Sequence, residues 1–479
     1  MTSQTPPAAS TCLPTDPHGP TGKLAGWLAG LRYEDIPQET VERAKDLILD
    51  GIGCALIGAQ LPWSRIATDA VCSFEGDGKA IVIGWGRTTA APAAALLNST
   101  FIQGFELDDV HIRGPLHSAS LVIPAILSTA ASQPVSGQEM LHAAVAGFET
   151  GPRVGMSLHG LQMLTRGWHS GAVFGTHAAA AATGTLLQLD GAKFEDALGM
   201  AATQSSGLMA AQFEAMSKRM HHGFSAKSGF YAAKLAQAGY TGIKRVFERE
   251  YGGFLAMFGE GHDPDATQIH AGLGEVWETD HISIKPYAAM GALHGPIDAV
   301  FALRARRPFR PDDIESVRIG MSDAMYHHGW WEPVRPLEPI GAQMHVGYAI
   351  AAAILDDAVM ARQFAPSRID ADDIWALMPR IRAYHETAFD NDQSTRMTCV
   401  LTVRFRNGDE EVETIAVPST YAGPMPRDKV IAKYRALTDG IVAPNRRDRI
   451  FDLVMQLDEQ DNIDELIGLL AQPVDGLFD

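Results

Sequence analysis

Six ionisable side chains crowd into one short stretch of this chain: Glu106, Asp108, Asp109, His111, Arg113 and His117, all within GFELDDVHIRGPLHSAS from Gly104 to Ser120. The flanking sequences, APAAALLNSTFI before and LVIPAILSTAAS after, are apolar and helix-like. Charges wedged between two buried segments are costly unless they pair with one another or meet a charged ligand. The stretch is therefore a candidate active-site loop. Carboxylates beside an imidazole favour its charged form, which suits His117 to giving up a proton near neutral pH.

Four further stretches carry residues fit for chemistry. TRGWHSGAVFG places His169 after a Gly-Trp break and before a helix. MSKRMHHGFSAKSG makes a cationic knot of Lys218, Arg219, His221 and His222. HISIKPYAAMGALHGP offers Lys285 just before a proline, and DAMYHHGWWEPVRP holds Tyr326, His327 and His328 near Arg335. One acidic cluster and several cationic ones in the same chain suit a pocket for an anionic small molecule. Each feature also has a plainer reading. The two aspartates could cap the next helix, His169 could be a hydrogen-bonded core residue, the Lys218 to His222 knot a solvated helix end and Lys285 a surface residue. His111, His222, His327 and His328 read as surface or supporting groups. No HExxH, CxxC or EF-hand pattern supports a metal among Asp108, Asp109, His111 and His117, and neither a phosphate loop nor a strand-linked GxGxxG is present. Metals and nucleotide cofactors are thus not expected.

At 479 residues, with 46% hydrophobic and 20% charged residues, the chain is long enough for about two globular domains. A net charge of −18 disfavours nucleic acid or an anionic membrane as partner. No run approaches the ~18 apolar residues of a membrane span. Cys12, Cys54, Cys72 and Cys399 are widely spaced, as for free thiols in a reducing compartment, which points to the cytoplasm. The first 20 residues read as a disordered tail.

From Thr21 apolar residues recur at three- and four-residue steps, as in ETVERAKDLILDGIGCALIGA, and the Ala- and Gly-rich segments that follow predict closely packed helices. AIVIGWG, from Ala80 to Gly86, reads as a short buried strand or turn. The pattern lapses at GHDPDATQIHAGL. Beyond it DIESVRIGMS reads as a strand and TCVLTVRFRNGDEEVETIAVP as a hairpin turned at Asn407-Gly408. Helices return from Pro426. The expectation is a mainly α protein: a large all-helical domain built from both chain ends (21–275 and 420–479), with a smaller α+β lid domain inserted at 276–419.

In order and spacing, LDD-x-H…PLHSAS (Leu107 to Ser120), GFE-x-GPR (Gly147 to Arg153), GWH-x-GAV-x-G (Gly167 to Gly175), K-R-x-x-H-G (Lys218 to Gly223) and I-K-x-Y (Ile284 to Tyr287) resemble the MmgE/PrpD family. The likeness runs from about Leu24 over nearly the whole chain, and ERAKDLILDGI, PLHSAS, GLMAAQ and YGGFLAMF bring it nearest to the fungal cis-aconitate decarboxylase branch. It implies the two-domain architecture, a homodimer, no cofactor and a di- or tricarboxylate substrate. It also implies catalytic roles for His117, His169, Lys218, Lys285 and Asp108. Asp109 matches the second of the family's paired aspartates and is a candidate substrate-binding residue. Arg113, Arg219, His221 and Tyr326 are added as candidate substrate-binding residues. Val110 and Met290 depart from the Thr and the His or Cys of many members, which sets this pocket apart from a generic dehydratase. Decarboxylation of aconitate to itaconate is the favoured expectation. A methylcitrate-type dehydratase or iminodisuccinate-type epimerase is the alternative, and a catalytically silent helical scaffold a third.

Overall fold

A computed structural model describes residues 12–212, 215–390 and 395–478. Helices from both chain ends share one body, because each carries an apolar stripe that the other covers. Helix Arg427–Thr438 packs on helix Gln38–Gly58, and its Lys433 forms a buried 2.6 Å ion pair with Asp50 of that helix. At the centre, helix His221–Gln237 lies against Gly175–Leu186 and Ala91–Gln103, and Ala119–Ala130 packs between those two. Small residues make this closeness possible: a methyl group on Gly229 would overlap the backbone of Thr176. Among the described residues no single helix is long and apolar enough to cross a membrane, and Cys54, Cys72 and Cys399 are free thiols.

The strands are few. β1 (Ala80–Val82) and β2 (Arg87–Thr89) form a small hairpin from the AIVIGWG stretch. β3 (Asp109–His111) lies within the charged loop and pairs antiparallel with β4 (Ile282–Ile284), with Asp109 opposite Ile284. β5 (Ile314–Met321), β6 (Ile381–His385), β7 (Cys399–Phe405) and β8 (Glu410–Ile415) make one sheet in the order β6-β5-β7-β8, with β5 and β6 parallel. The β7-β8 turn falls at Asn407-Gly408, where Gly408 takes φ 90°. β5 turns Ile314, Val317, Ile319 and Met321 into the core, and helix His294–Arg306 covers β7 and β8. The edge strand β8 presents Glu410, Glu411 and Glu413, charges that discourage pairing with another strand.

Two differences from the sequence reading concern boundaries. Residues 12–19, expected within a disordered tail, lie against helix Gly191–Thr203: the Thr15 amide and hydroxyl both donate to Glu195 at 2.9 Å. Glu195 is buried, and a buried carboxylate must find donors. Residues 1–11 of that expected tail lie outside the described residues. In the segment expected to form a separate lid, β4 follows the turn Glu278–His281 and pairs with β3 of the charged loop, so that segment is joined to the helices by backbone pairing.

Candidate active site

The helices determine where the charged groups meet. The loop leaves helix Ala91–Gln103 and re-enters the core as Ala119–Ala130; both pack on His221–Gln237, which follows directly on Lys218 and Arg219. The β3-β4 pairing brings Lys285, the residue after β4, to the same place.

Glu106 is the hub. Its backbone adopts a left-handed φ of 54°, which for a residue other than glycine costs about 1 kcal/mol or more and persists only where the surroundings enforce it. Its carboxylate, almost wholly buried, pairs with Lys218 and, at 3.4 Å, with Lys285; Lys285 Nζ also donates to the Glu106 carbonyl at 3.3 Å, and Gln103 donates to the carboxylate at 3.2 Å. Burial alone would push Glu106 up, yet Lys218, Lys285 and His117 outweigh it and hold the carboxyl well below the usual range. Burial draws the Lys218 ammonium down, and the Glu106 carboxylate opposes that.

The paired aspartates divide their work. Asp109 accepts the amides of Ser118 (2.7 Å) and Ala119 (3.0 Å) at the start of helix Ala119–Ala130, so it caps that helix from nine and ten residues upstream. Burial, then the neighbouring Asp108 carboxylate, pushes Asp109 up to about 7. Asp108 is fully buried, and its Oδ1 lies 3.3 Å from His117 Nδ1. The same Nδ1 donates to the Asp109 carbonyl at 2.7 Å, because a carbonyl can only accept. Nε2 is thereby left as the nitrogen of His117 that can exchange a proton. With 14% of its side chain exposed, His117 is also more accessible than the groups around it.

His169 precedes the short helix Ser170–Val173 and donates its amide to the Gly207 carbonyl at 3.2 Å. Its ring stands 4.7 Å from that of His221 and 5.4 Å from that of His222, while His222 stands 5.3 Å from His117. Burial first, then Lys218 and the neighbouring rings, keep His169 well below the usual imidazole range; burial and Lys218 draw His221 down to about 4. His117, His169, His221, Lys218, Lys285 and Asp108 thus lie in one buried group of segments far apart in sequence.

Three sequence candidates are placed differently. Arg113 is exposed and donates to Gln268 at 3.4 Å, carried outward by the turn after β3. Arg219 is buried, but its donors are committed to the Gly104 carbonyl and to Gln343 (3.0 Å), and its guanidinium lies 3.9 Å over the Trp63 ring. Those contacts tie it to the loop, to Gln343 and to Trp63. Tyr326, in the lid helix Asp323–Gly329, is half-buried with its ring 5.3 Å from His327. Among the described residues no hydrogen bond, ion pair or ring contact joins Arg113 or Tyr326 to His117, His169, His221, Lys218 or Lys285. His111 and His222, read from sequence as surface or supporting groups, are both buried. His111 Nε2 lies 2.9 Å from Glu278 and its Nδ1 accepts the Gly114 amide at 3.0 Å, which clamps the loop. Glu106 was visible in the charged stretch but not singled out, although an acid between two lysine-bearing segments was the available signal. Lys433, which donates to the Leu107 carbonyl at 2.6 Å, carries no local signal at all.

Two open clefts lie away from these groups. One of about 800 Å³ is lined by residues such as Tyr33, His142 and Phe194, and another of about 650 Å³ by residues such as Glu42, Arg43 and Arg427. Neither is lined by the histidine and lysine group.

Comparison with known proteins places this arrangement. The MmgE/PrpD N-terminal domain model matches residues 22–267 and the C-terminal domain model residues 287–459. A cis-aconitate decarboxylase-like protein of Aspergillus oryzae is 40% identical over 468 residues, covering 94% of this chain and 97% of its own. The cis-aconitate decarboxylase of Aspergillus terreus is 40% identical over 473 residues, covering 95% and 96%. That of Mus musculus is 23% identical over 473 residues, covering 95% and 93%. From the charged loop through the lid to the returning C-terminal helices, this chain belongs to the MmgE/PrpD family.

Proposed function

We propose that this protein is a carboxy-lyase that converts aconitate, the cis isomer favoured, to itaconate and CO2 without a cofactor. The observation that carries the reading is the meeting of His117, His169, Lys218 and Lys285 beside Asp108 in one buried group. The similarity to fungal cis-aconitate decarboxylases over nearly the full length supports it. Aconitate is a trianion, and two buried ammonium groups answer part of that charge. In the reaction the bond from the allylic CH2 to its carboxylate breaks and CO2 leaves. The released pair forms the new double bond to the central carbon, and the old π pair takes a proton at the far alkene carbon. One proton is consumed per turnover. His117 is assigned as its donor through Nε2, since Nδ1 is held by the Asp109 carbonyl and faces Asp108. His169, held neutral, serves as a second acid/base or orienting group. Expulsion of water on substrate binding favours departure of a carboxylate as neutral CO2.

The same reading includes a homodimer. Phe224, Tyr231 and Leu235 are exposed along one face of helix His221–Gln237, an apolar strip that a second copy would cover; light scattering coupled to size exclusion tests it. The free thiols fit a reducing compartment, and we assign the protein to the cytoplasm. The activity is tested by incubating purified protein with each aconitate isomer and following CO2 and itaconate by NMR. Turnover of neither isomer defeats the assignment. Loss or gain of water, or solvent deuterium exchange without CO2, would identify a dehydratase or epimerase instead.

A further inference from the structure

The middle ring of the histidine group is held in an unusual way. Ser120 Oγ lies 2.7 Å from the His117 carbonyl and 2.6 Å from His222 Nδ1, and both Ser120 and His222 are fully buried. A carbonyl only accepts, so the Ser120 hydroxyl donates to His117 O, and its lone pair accepts from His222. That fixes the proton of His222 on Nδ1. At the other end of the ring Nε2 is buried, has no hydrogen-bond partner among the described residues and abuts Gly171, where an added methyl group would overlap it. A proton on Nε2 would have no acceptor there. Gly171 belongs to the helix Ser170–Val173 that His169 begins. The imidazole of His222 therefore spans the space between the segment carrying His117 and the segment carrying His169, its centroid 5.3 Å from one ring and 5.4 Å from the other.

We infer that His222 is a positioning residue, a neutral strut that acts through Ser120 on the backbone of His117 and through Gly171 on the helix of His169, and so sets the spacing of the two imidazoles. It does not exchange protons itself, because one nitrogen is committed to Ser120 and the other is sealed against Gly171. The cationic and titratable groups facing it, His117, His169, Lys218 and His221, together with burial, act in the same sense by keeping it uncharged. The inference accounts for three otherwise separate facts: a glycine at 171, a serine at 120 whose hydroxyl is used at both ends, and a buried histidine with one bare nitrogen.

The role rests on the proposed decarboxylase reading for its kinetics but not for its geometry, and the test separates the two. In the wild-type protein, labelled with ¹⁵N-histidine, one imidazole should show the Nδ1–H tautomer with bare Nε2 and should not titrate between pH 6 and 8; its signal should vanish in His222→Asn. An Nε2–H tautomer, or titration in that range, overturns the inference whatever the activity. With aconitate as substrate, His222→Leu removes the donor and should lower kcat on the order of 10²-fold with little change in KM, the scale of a small misplacement of reacting groups. His222→Asn keeps an N–H at the Nδ1 position but leaves the Gly171 end empty, so it should recover only part of the kcat lost in His222→Leu. Asn no better than Leu overturns the inference. Gly171→Ala should be damaging alone but well tolerated together with His222→Asn, which vacates the space. Equal damage in both backgrounds, read by thermal denaturation as well as by activity, also overturns it. If the wild type turns over neither aconitate isomer, the functional assignment fails, while the tautomer and the Gly171–His222 coupling still decide the strut.

Discussion

Two regions of this molecule are rich in ion pairs and use them differently. On the lid, Arg306 pairs with Glu411 and Glu413, and Arg307 with Asp409 and Glu411, along the β8 edge, with the arginines 50% and 32% exposed. In the loop, Glu106 pairs with Lys218 and Lys285 where every side chain is 5% exposed or less. Exposed pairs are screened and typically contribute ~1 kcal/mol or less. A buried cluster gives no better net stability than apolar packing would, but losing one member strands the others without water. The pairs along β8 therefore tune a surface, whereas the loop cluster adds little net stability for the charges it buries. The anion site proposed above accounts for such a cluster.

The contrast can be broken in four places. The largest effect is expected at His117. His117→Gln should cut kcat by roughly 10²- to 10⁴-fold, the usual contribution of a positioned acid. The ring donates one backbone hydrogen bond and faces the buried Asp108 carboxylate at 3.3 Å, so urea unfolding should show a loss on the order of 1–3 kcal/mol. A stability loss larger than the turnover loss would make the loop a scaffold. Next comes Glu106→Gln, which leaves two buried ammonium groups sharing no anion. Urea unfolding should show a loss on the order of 3–5 kcal/mol. A loss like that of a surface pair would erase the distinction.

The third effect concerns pH. His169, His221 and His222 are held below the unfolded imidazole value of about 6.5, so the unfolded chain binds more protons than the native one in that range. Their contribution is complete above about pH 6.5 and is lost as pH falls toward the value of about 4 of His221. Asp109, raised to about 7, works in the opposite sense: its contribution is complete below about pH 4 and is lost as pH rises through 7. Elsewhere His142, His177, His294 and His345 act in the same sense as the site histidines, and Asp46, Asp50, Glu149 and Asp280 in the sense of Asp109. The site is therefore read by difference: the fall in thermal midpoint from pH 7.5 to pH 5 should be smaller in His221→Gln than in the wild type, and an equal or larger fall contradicts the assigned protonation state of His221. The smallest effect belongs to the lid, where Arg306→Ala should cost less than about 1 kcal/mol and less still in high salt.

Much of this was legible in the sequence, for identifiable reasons. Helices announced themselves by three- and four-residue periodicity, and the β7-β8 hairpin by Asn407-Gly408, since both signals are local. β6 escaped notice because IRAYH is short and its partner β5 lies about 60 residues away in a parallel pairing that no turn marks. The β3-β4 pair escaped for the same reason, and with it the physical route by which Lys285 reaches the loop. The site followed a similar rule. Histidines and lysines could be picked out by type, but nothing along the chain shows that Arg219 is occupied by Gly104 and Gln343, that Arg113 turns outward, or that Lys433 reaches the Leu107 carbonyl. Side-chain commitment is a tertiary property, and it decides which of several equally charged residues is left for a ligand.

The most direct test of the central claim is turnover of cis-aconitate in D2O by the wild type and by His117→Gln, followed by NMR. The account predicts itaconate carrying one deuterium on the methylene beside its carboxylate from the wild type, with the rate collapsing in the variant. Itaconate formed by the variant at the wild-type rate, or no itaconate from the wild type, would contradict it.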